Sequence, residues 1–331
     1  MSETQLTQAL KGAYRWYYFK KTDELRPPSE IDKREFGYRD FNGNMVRHIQ
    51  LKSKGELYAL AVREVPRSIY YSVSYYKDPA APMQLKGRMG SDLVFDIDMK
   101  DVSKSYEKHS FWICESCHAF GPGQAPGICP RCGSKQVKFI DWACDECINE
   151  IKNEAMNLID ILQGDFGINA NEISVYFSGN NGFHVHVDSK KFISLSSKER
   201  AEIVDYIRGT GFESEIYLSN VPDRAKEYAI KRKRVLIDPQ VTVDVSRIFR
   251  LPGSLHDESG LEKKLCRNIE TCDPFTDAAV LPDEPLNVMV YYAPEFKLKG
   301  LKFGPYRMES AKLPTYAAVY LMAKGLAQPV I

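Results

Sequence analysis

The stretch Asp92-Leu-Val-Phe-Asp96-Ile-Asp98 sets the expected fold, because it is an apolar β-strand that ends in two acidic residues. Side chains alternate across a strand, so Asp96 and Asp98 share one face, while Phe95 and Ile97 point to the core. Two carboxylates at this spacing repel each other unless a cation lies between them, and carboxylate oxygens suit Mg²⁺ or Mn²⁺. The alternative is a solvent-facing strand with two charges on its wet side. The apolar run before the acids favours the metal site.

A third acidic residue, Asp244, lies in a segment of similar character, Val241-Thr-Val-Asp244-Val. Alternation predicts a strand that carries its valines on one face and Asp244 on the other. Three acids on two strands can hold two divalent cations for in-line phosphoryl transfer. In that chemistry one cation activates an attacking 3′-hydroxyl, and both stabilise charge on the α-phosphate and the leaving group.

A glycine-containing turn, Ser178-Gly179-Asn-Asn-Gly182-Phe-His184, is the candidate phosphate site. Its glycines allow a close approach of the backbone, its N–H groups can face an anion, and His184 can donate to a phosphate oxygen. The alternative is an ordinary hairpin turn, which asparagine–glycine sequences favour. A metal site shared by His184 and His186 is a further alternative, but the acids already offer a metal site.

Basic residues follow Asp244 at short spacing in the segment Arg247-Ile-Phe-Arg250-Leu-Pro-Gly-Ser-Leu-His256. Two arginines and a histidine so close to an expected metal ligand would neutralise phosphate well. Arg47 is a more distant candidate for the same role. The alternative for the arginines is an ion pair with a nearby carboxylate.

The cysteines are clustered, with three Cys-x-x-Cys pairs in one short segment. The first two pairs predict a zinc ribbon whose ligands are Cys114, Cys117, Cys129 and Cys132. Four cysteine ligands leave no open position, so a single structural zinc is expected. The third pair, Cys144 and Cys147, can replace one of the others, and His118 is a further ligand candidate. The sequence leaves open whether Cys266 and Cys272 are free thiols or a disulfide.

Helix and strand patterns are interspersed without strict alternation, which predicts a mixed α/β fold. An amphipathic stripe predicts a long helix from Ile148 to Leu162, and a final helix is predicted from Tyr316 to Lys324. Further predicted strands span residues 56–62, 69–76, 173–177 and 183–187.

Strand patterning stops at the cysteines and resumes after them, so the cysteine segment is interpreted as an insertion. We expect a discontinuous core of residues 1–110 and 145–290, a zinc-binding insertion at 111–147, and a C-terminal segment at 291–331. Within the core, residues 190–235 are expected to form a small helical insert whose helix begins at a capping box.

The chain has 331 residues, of which 44% are hydrophobic and 27% charged, and its net charge is only +1. A protein that wraps duplex DNA nonspecifically is usually far more basic, so contact with nucleic acid must rest on local patches. The candidate patches are Lys190-Lys191, Lys231-Arg-Lys-Arg234, and Lys297 with Lys299 and Lys302. Each patch, taken alone, is typical of a solvated surface.

The N-terminal segment is polar and amphipathic, without the apolar region of a signal peptide. No stretch reaches the roughly 18 uninterrupted apolar residues that a membrane span needs. We therefore expect an intracellular, cytoplasmic protein without a membrane contact.

Together these segments resemble the archaeal/eukaryotic-type DNA primase family, and specifically its small catalytic subunit. The family's first motif, a hydrophobic strand ending in DxD, matches the residues from Val94 to Asp98. Its second motif, SGxxGxH, matches Ser178 to His184, and its third, an acid on a later strand, matches Asp244. The segment from Arg247 to His256 resembles archaeal members closely, which predicts an archaeal source.

The resemblance implies roles for these residues. The ligands of two catalytic Mg²⁺ or Mn²⁺ ions would be Asp96, Asp98 and Asp244. The residues that hold the incoming triphosphate would be Ser178, Gly179 and His184. Further contacts to nucleotide phosphates would come from Arg47, Arg250 and His256. Eukaryotic members carry basic residues where this chain has Asn180 and Asn181, so phosphate charge must be met elsewhere, by Arg247 or Arg250.

The resemblance also implies a mixed α/β "prim" core with an RRM-like sheet, a zinc-bearing projection near the site, and a larger iron–sulfur subunit as partner. The expected activity is the de novo synthesis of short primers on single-stranded DNA from nucleoside triphosphates, with release of pyrophosphate. The alternatives are a repair or end-joining polymerase of the same superfamily, a metal-dependent nuclease, and a noncatalytic zinc-ribbon protein that binds nucleic acid.

Overall fold

The computed structural model describes residues 3–103, 106–210 and 234–330 as a mixture of helices and sheets. The α-helices are α1 (Glu3–Lys20), α2 (Lys54–Glu64), α3 (Met99–Val102), α4 (Tyr106–His109), α5 (Asp145–Gly164), α6 (Ser197–Arg208), α7 (Pro239–Val243), α8 (Pro274–Asp277) and α9 (Thr315–Ala323). The β-strands are β1 (Glu35–Arg39), β2 (Met45–Gln50), β3 (Ser68–Ser72), β4 (Ser74–Tyr76), β5 (Arg88–Ser91), β6 (Leu93–Asp98), β7 (Phe111–Cys114), β8 (Phe120–Pro122), β9 (Val137–Ile140), β10 (Ile173–Phe177), β11 (Gly182–Val187), β12 (Ile248–Arg250), β13 (Lys264–Cys266), β14 (Pro285–Ala293), β15 (Phe296–Leu298), β16 (Leu301–Phe303), β17 (Tyr306–Pro314) and β18 (Ala327–Pro329). The mixed α/β prediction is confirmed.

Two four-stranded sheets form the centre of the molecule, with strand orders β12-β3-β1-β2 and β13-β10-β11-β6. Helix α5 covers the second sheet through contacts with β6 and β11. Its buried stripe includes Ile148, Ile151, Leu158 and Leu162, as the helical spacing predicts. Each of these side chains contributes about 1.5–3 kcal/mol relative to an exposed position. This packing holds the strand that carries the two acids in a fixed place.

The register between β6 and β11 places the first two sequence motifs side by side. The strands are antiparallel, with His184 opposite Asp96 and Gly182 opposite Asp98. Residues directly opposite each other have Cβ atoms about 4.5–5.5 Å apart. The pairing therefore brings the turn before β11 to the end of the strand that holds both carboxylates.

The cysteine segment forms a small sheet of its own, with strand order β8-β7-β9. It packs on the C-terminal sheet, whose order is β17-β14-β18, through two stacked ring pairs. His118 stacks on Tyr291 with ring centroids 3.6 Å apart, and Phe120 stacks on Tyr292 at 3.7 Å. Ribbon and C-terminal sheet are thus joined by aromatic packing.

Several predicted elements are present. The helix predicted from Ile148 to Leu162 is α5, the strand ending in Asp98 is β6, and the last predicted helix is α9. Helix α6 begins at the predicted capping box and ends at Gly209, which has a positive φ. The rest of the predicted helical insert, residues 211–233, lies outside the described residues, as do three residues of the basic patch that ends at Arg234.

Two predicted strands are wrong, because both segments are helical. Residues 56–62 belong to α2, where Leu57, Leu60 and Ala61 are buried at helical spacing and Ser53 caps the first turn. Residues 241–243 belong to α7, which begins with Pro239 in its first turn. In both places a helix start signal decides the structure despite the β-branched or aromatic residues that follow.

Helix α9 is apolar on all sides, and its residues from Tyr316 to Ala323 are buried. A helix of this kind belongs in the core of a protein or in a membrane. In the ranges that the structure describes, no helix is both long enough and apolar enough to cross a membrane. α9 packs on α1 and on the C-terminal sheet, whose strand β14 crosses the expected boundary at residue 291. The domain limits given above stay predictions.

Candidate functional site

A polar cavity of about 430 Å³ opens between the ends of the two central sheets. The predicted site residues that line it are Asp96, Asp98, Ser178, His184, Arg247, Arg250 and His256. They come from three separate segments of the chain, and the sheets bring them together. Gly179 belongs to the same turn as Ser178, behind the lining, while Asp244 and Arg47 are not part of it.

The two acids of β6 lie at the bottom of this cavity. Asp96 Oδ1 is 3.4 Å from His184 Nε2, and Asp98 Oδ2 is 3.1 Å from Lys100 Nζ. Burial, followed by repulsion from Asp98 and Asp238, raises the pKa of the Asp96 carboxyl. Burial also raises the pKa of Asp98, although Lys100 opposes the shift. Two carboxylates in this environment need a cation to be charged together.

The third acid in the cavity is Asp238, which the sequence interpretation missed. Its backbone N–H donates to the carbonyl of Asp96 at 3.0 Å, and its carboxylate lies in the lining together with Asp96 and Asp98. Asp238 is the N-cap of α7 and accepts a hydrogen bond from the N–H of Gln240 at 2.9 Å. The available signal was an aspartate directly before a proline, which is typical of a helix start.

Asp244 lies at the other end of α7 and is exposed. Its Oδ1 accepts hydrogen bonds from the backbone N–H of Ser246 at 2.9 Å and from the Ser246 hydroxyl at 2.6 Å. The expected strand placed this residue beside the DxD acids. The helix turns it away from the cavity and brings Asp238 there instead.

The turn between β10 and β11 forms the hairpin that the asparagine–glycine sequence favours, and it also forms one wall of the cavity. The N–H of Ser178 donates to the carbonyl of Gly182 at 2.8 Å, and the Ser178 hydroxyl accepts from the N–H of Gly182 at 3.2 Å. Gly179 has a φ of +94°, and a Cβ there would lie 3.0 Å from the Cβ of His256. Only glycine fits this position without strain. The hairpin and phosphate-site interpretations are therefore compatible.

Arg250 and His256 pack against this turn. Arg250 Nη1 donates to the carbonyl of Ser178 at 2.8 Å, and its Nη2 lies 3.6 Å from Asp257 Oδ1. The Tyr14 hydroxyl of α1 donates to the carbonyl of His256 at 2.8 Å. Burial, followed by the charge of Arg250, lowers the pKa of His256 well below its ordinary value, so the imidazole is neutral at pH 7.

His186 does not share a metal site with His184. Its Nε2 lies 3.1 Å from the Lys263 ammonium, and its Nδ1 lies 3.3 Å from the Tyr71 hydroxyl. Both ring nitrogens are occupied by these neighbours, whereas His184 faces the cavity. Burial, with Lys263 next, lowers the pKa of both histidines well below the ordinary value.

Arg47 forms an ion pair with a carboxylate, which is the alternative that the sequence left open for the arginines. Its Nε donates to Glu35 Oε1 at 2.9 Å, and Lys86 Nζ lies 3.3 Å from the other oxygen of the same carboxylate. The guanidinium is thus fixed in a buried charge cluster next to β1 and β2. Its expected contact with a nucleotide stays a prediction.

Unpaired polar atoms are concentrated in the cavity. Within the described ranges, the buried side-chain atoms without a hydrogen-bond partner include Asp96 Oδ1, Asn181 Oδ1, His184 Nδ1 and Arg250 Nε, all from lining residues. Buried polar groups are almost always paired in folded proteins. The unpaired acceptors near the acids can bind cations, and the unpaired N–H of Arg250 can donate to an anionic oxygen. A ligand that carries both cations and anionic oxygens fits this arrangement.

Lys324 is a second cavity-associated residue that the sequence did not reveal. It follows α9, is only 5% exposed, and donates through Nζ to Asn180 Oδ1 at 3.0 Å and to the carbonyl of Asp141 at 3.4 Å. Burial lowers its pKa to about 8. Lys324 therefore ties the end of α9 to the turn and to the ribbon's exit strand. No local pattern marks a lysine that is 144 residues away from its partner.

The four predicted zinc ligands form a compact cluster. The Sγ atoms of Cys114, Cys117, Cys129 and Cys132 all lie within 4.8 Å of one another. Cys114 to Cys132 and Cys117 to Cys129 are each 3.7 Å apart. Four thiolates about 2.3 Å from a tetrahedral zinc are about 3.8 Å apart, so the cluster fits this metal.

The remaining cysteines are paired with each other. Cys144 and Cys147 form a disulfide at the start of α5, and Cys266 and Cys272 form another. The third Cys-x-x-Cys pair is therefore separate from the cluster, and His118 stacks on Tyr291 instead of joining it.

Comparisons with known proteins identify relatives of the chain. The family model described as "DNA primase small subunit" matches residues 140–267. The DNA primase small subunit of Nitrosopumilus maritimus is 36% identical, and the alignment covers 99% of both chains. That of Cenarchaeum symbiosum is 34% identical over 96% of this chain and 97% of its own. That of Saccharolobus solfataricus is 32% identical over 97% and 95%.

Among solved structures, the polymerase domain of Mycobacterium tuberculosis ligase D in complex with DNA is similar. The match covers 80% of this chain and 81% of that one, with a TM-score of 0.40 and 10% identity. This similarity is too low to bear on the site.

Proposed function

The chain belongs to the DNA primase small-subunit family, and from this premise we propose that it is the catalytic subunit, making short primers de novo on single-stranded DNA. The observation that carries the proposal is the cavity, where the partly buried acids of β6 meet the Ser178–Gly182 turn and the arginines Arg247 and Arg250. Nucleoside triphosphates are the substrates, and pyrophosphate is the second product.

The acids in the cavity fit divalent cations, because Asp96 Oδ1 is buried without a hydrogen-bond partner and the negative charges of Asp98 and Asp238 act on the same carboxyl. Asp96, Asp98 and Asp238 would hold two Mg²⁺ or Mn²⁺ ions, which supply activation of a 3′-hydroxyl and neutralisation of phosphate charge. Asp238 takes the place that the sequence pattern gave to Asp244. The Cys114–Cys132 cluster would hold one structural zinc.

The chain's own residues position the triphosphate. The Ser178 hydroxyl accepts the N–H of Gly182 and keeps its own hydrogen for a phosphate oxygen, while Gly179 lets the turn pack closely against His256. Neutral His184 donates a hydrogen bond without repelling the cations, while Arg247, Arg250 and His256 bind further phosphate oxygens. No protein nucleophile takes part, because the 3′-hydroxyl of one bound nucleotide attacks the α-phosphate of another.

The proposed partners follow from the family name. A small subunit implies a large one, and we propose that this partner carries the iron–sulfur cluster. The template is single-stranded DNA, and base pairing selects the incoming nucleotide.

The test is synthesis on unprimed single-stranded DNA with labelled nucleoside triphosphates and Mg²⁺ or Mn²⁺. Wild type is compared with the isosteric variant Asp96→Asn/Asp98→Asn, with and without the large subunit. We expect new labelled oligomers from wild type and a loss of at least about 10²–10³-fold in the variant.

Each other outcome supports a different function. Extension of annealed primers without initiation would support a repair or end-joining polymerase. Shortening of DNA without nucleotides would support a nuclease, and no incorporation under any condition would leave a noncatalytic binder.

Lys324 gives a second prediction about the same cavity. Lys324→Met leaves Asn180 Oδ1 without its donor, so the turn loses its fixed geometry and the nucleotide KM should rise about tenfold. The kcat should change less, because the acids are untouched. Lys324→Gln keeps a donor and should restore most of the affinity.

Steady-state kinetics on a primed template measure both constants. Lys299→Met is the matched control. Lys299 lies outside the cavity lining, and its Nζ forms an ion pair with Asp283 at 2.9 Å. An unchanged KM in Lys324→Met, with only a lower melting temperature, would reduce Lys324 to a structural role.

A further inference from the structure

A second groove, of about 630 Å³, lies next to the catalytic cavity. We call it the aromatic groove; its rings are Phe111, Phe120, Trp142, Phe275, Tyr292, Phe296 and Tyr320. It is bounded on one side by the ribbon strands β7 and β8 and on the other by β14 to β17 of the C-terminal region.

The two hollows share their dividing wall. Tyr106 and Asp141 line the catalytic cavity, whereas their near neighbours Lys108 and Trp142 line the aromatic groove. Two chain segments, α4 and the residues after β9, thus contribute to both hollows. A polymer bound in the groove therefore passes directly beside the cavity.

The groove's rings are packed into a fixed framework. Phe120 stacks on Tyr292 with centroids 3.7 Å apart, and Phe111 meets Tyr292 edge to face at 4.9 Å. Trp142 meets Phe296 edge to face at 5.8 Å. Phe120 and Tyr292 stay partly exposed, so ring surface is available at the groove without rearrangement.

The rim of the aromatic groove is basic. Lys108, Lys297, Lys302 and Arg307 face it, against the acids Asp145 and Glu295. Lys302 is paired with Glu295 at 2.9 Å. In the part of the chain that the structure describes, the other three cations have no ion pair, and Arg307 lies 5.8 Å from the Phe120 ring. On a chain of net charge +1, this is a local excess of unpaired positive charge.

The sequence patch of Lys297, Lys299 and Lys302 is divided between two places in the fold. Lys297 and Lys302 belong to the groove, while Lys299 pairs with Asp283 elsewhere. A cation without an ion pair beside apolar rings does not destabilise the fold when water or an anionic ligand contacts it. The rings and the charges together, rather than either alone, indicate the kind of ligand.

We propose that the aromatic groove binds single-stranded DNA and guides the template past the catalytic cavity. The proposal rests on the function given above and names a further part of the same substrate's path. Sequence-independent binding of single strands combines cations along the backbone with aromatic faces that stack on bases, and the groove offers both. A protein partner of this groove would need acidic side chains, and it is the competing outcome of the test.

The experiment measures the binding of fluorescein-labelled oligodeoxythymidylate to the full chain by anisotropy, without nucleotides, over a range of salt concentrations. The variant is Lys297→Glu/Arg307→Glu, which reverses two exposed charges. The control, Lys190→Glu/Lys191→Glu, reverses two exposed lysines of another patch that the sequence singled out. Zinc content and circular dichroism confirm that each variant is folded.

The groove variant should bind at least about tenfold more weakly. Its slope of log K against log salt should fall by about 1.4, because each phosphate that a cation neutralises adds about 0.7 to the slope. The control should bind like wild type. Equal binding by the groove variant and wild type would overturn the proposal, and so would an equal loss in both variants. Loss of large-subunit binding with unchanged DNA affinity would assign the groove to the protein partner.

Because this measurement needs no catalysis, the two proposals can fail separately. A chain that makes no primers but binds DNA through the groove contradicts only the proposed activity. A groove variant that makes primers and binds DNA normally contradicts only the groove.

Discussion

Asp238→Asn should abolish nucleotide incorporation, while Asp244→Asn should leave it close to the wild-type rate. The expected loss at Asp238 is about 10²-fold or more, because one of the acids that line the cavity loses its charge. Asp244 is exposed and lies outside the cavity lining, and its carboxylate accepts hydrogen bonds from Ser246, so its neutralisation weakens a local turn and leaves the cavity intact.

The substitution is chosen so that the fold survives. Asn is as good an N-cap as Asp, so Asp238→Asn keeps the hydrogen bond from the N–H of Gln240. The backbone N–H of residue 238 still donates to the carbonyl of Asp96. A loss of activity can therefore be assigned to the missing charge rather than to an unfolded α7.

Incorporation on a primed template, with the melting temperature of each variant, measures this prediction. An active Asp238→Asn beside an inactive Asp244→Asn would favour Asp244 as the third metal ligand, as the sequence pattern predicts. It would require α7 to rearrange when nucleotide binds.

Much of the site could be predicted because its central residues obey local rules. Alternation along a strand puts Asp96 and Asp98 on one face, and a short hairpin fixes the strand that carries His184 relative to its partner β10. The sequence did not predict which strand pairs with the second edge of β11, the edge opposite β10. The pairing with β6 joins residues far apart in the chain, and it alone places His184 opposite Asp96.

The third acid was missed because two local signals competed. The alternating valines from Val241 to Val245 favour a strand, whereas Asp238 and Pro239 favour a helix start. The helix is realised because Asp238 caps it and Thr242 donates its hydroxyl to the carbonyl of Val94, which fixes α7 against β6. Because this capped short helix forms, Asp238 and not Asp244 lines the cavity with Asp96 and Asp98.

Long-range features had no sequence signal. Lys324 reaches Asn180 only because α9 packs against the rest of the fold, and the aromatic groove exists only where the ribbon meets the C-terminal sheet. Each of their residues, taken alone, is an ordinary lysine or aromatic residue. The basic cluster around Lys297 was visible in the sequence, but the rings beside it were not.

Loss of zinc should remove the order of the whole ribbon. The variant Cys129→Ser/Cys132→Ser keeps half of the ligand cluster, so its zinc content should fall from about one per chain to near zero. In isolated zinc fingers the metal contributes about 10–16 kcal/mol to folding, far more than three short strands supply by themselves. Metal analysis and thermal unfolding of the full chain measure the effect.

The matched control is Cys144→Ser/Cys147→Ser, which removes the third pair and should keep the zinc, since these cysteines lie outside the cluster. A control that loses its zinc would move the ligand set to the third pair.

The consequence of zinc loss should extend to both proposed binding sites. β9 leads directly into Asp141, whose carbonyl accepts from Lys324, and Lys138 of β9 donates to the carbonyl of Lys324 at 3.2 Å. Phe120 of β8 supplies one side of the aromatic groove. A disordered ribbon should therefore raise the nucleotide KM through Lys324 and weaken binding of single-stranded DNA. Zinc-free protein with an unchanged KM and unchanged DNA affinity would show that the ribbon and the cavity are independent, and would break the chain of contacts from zinc to Asn180.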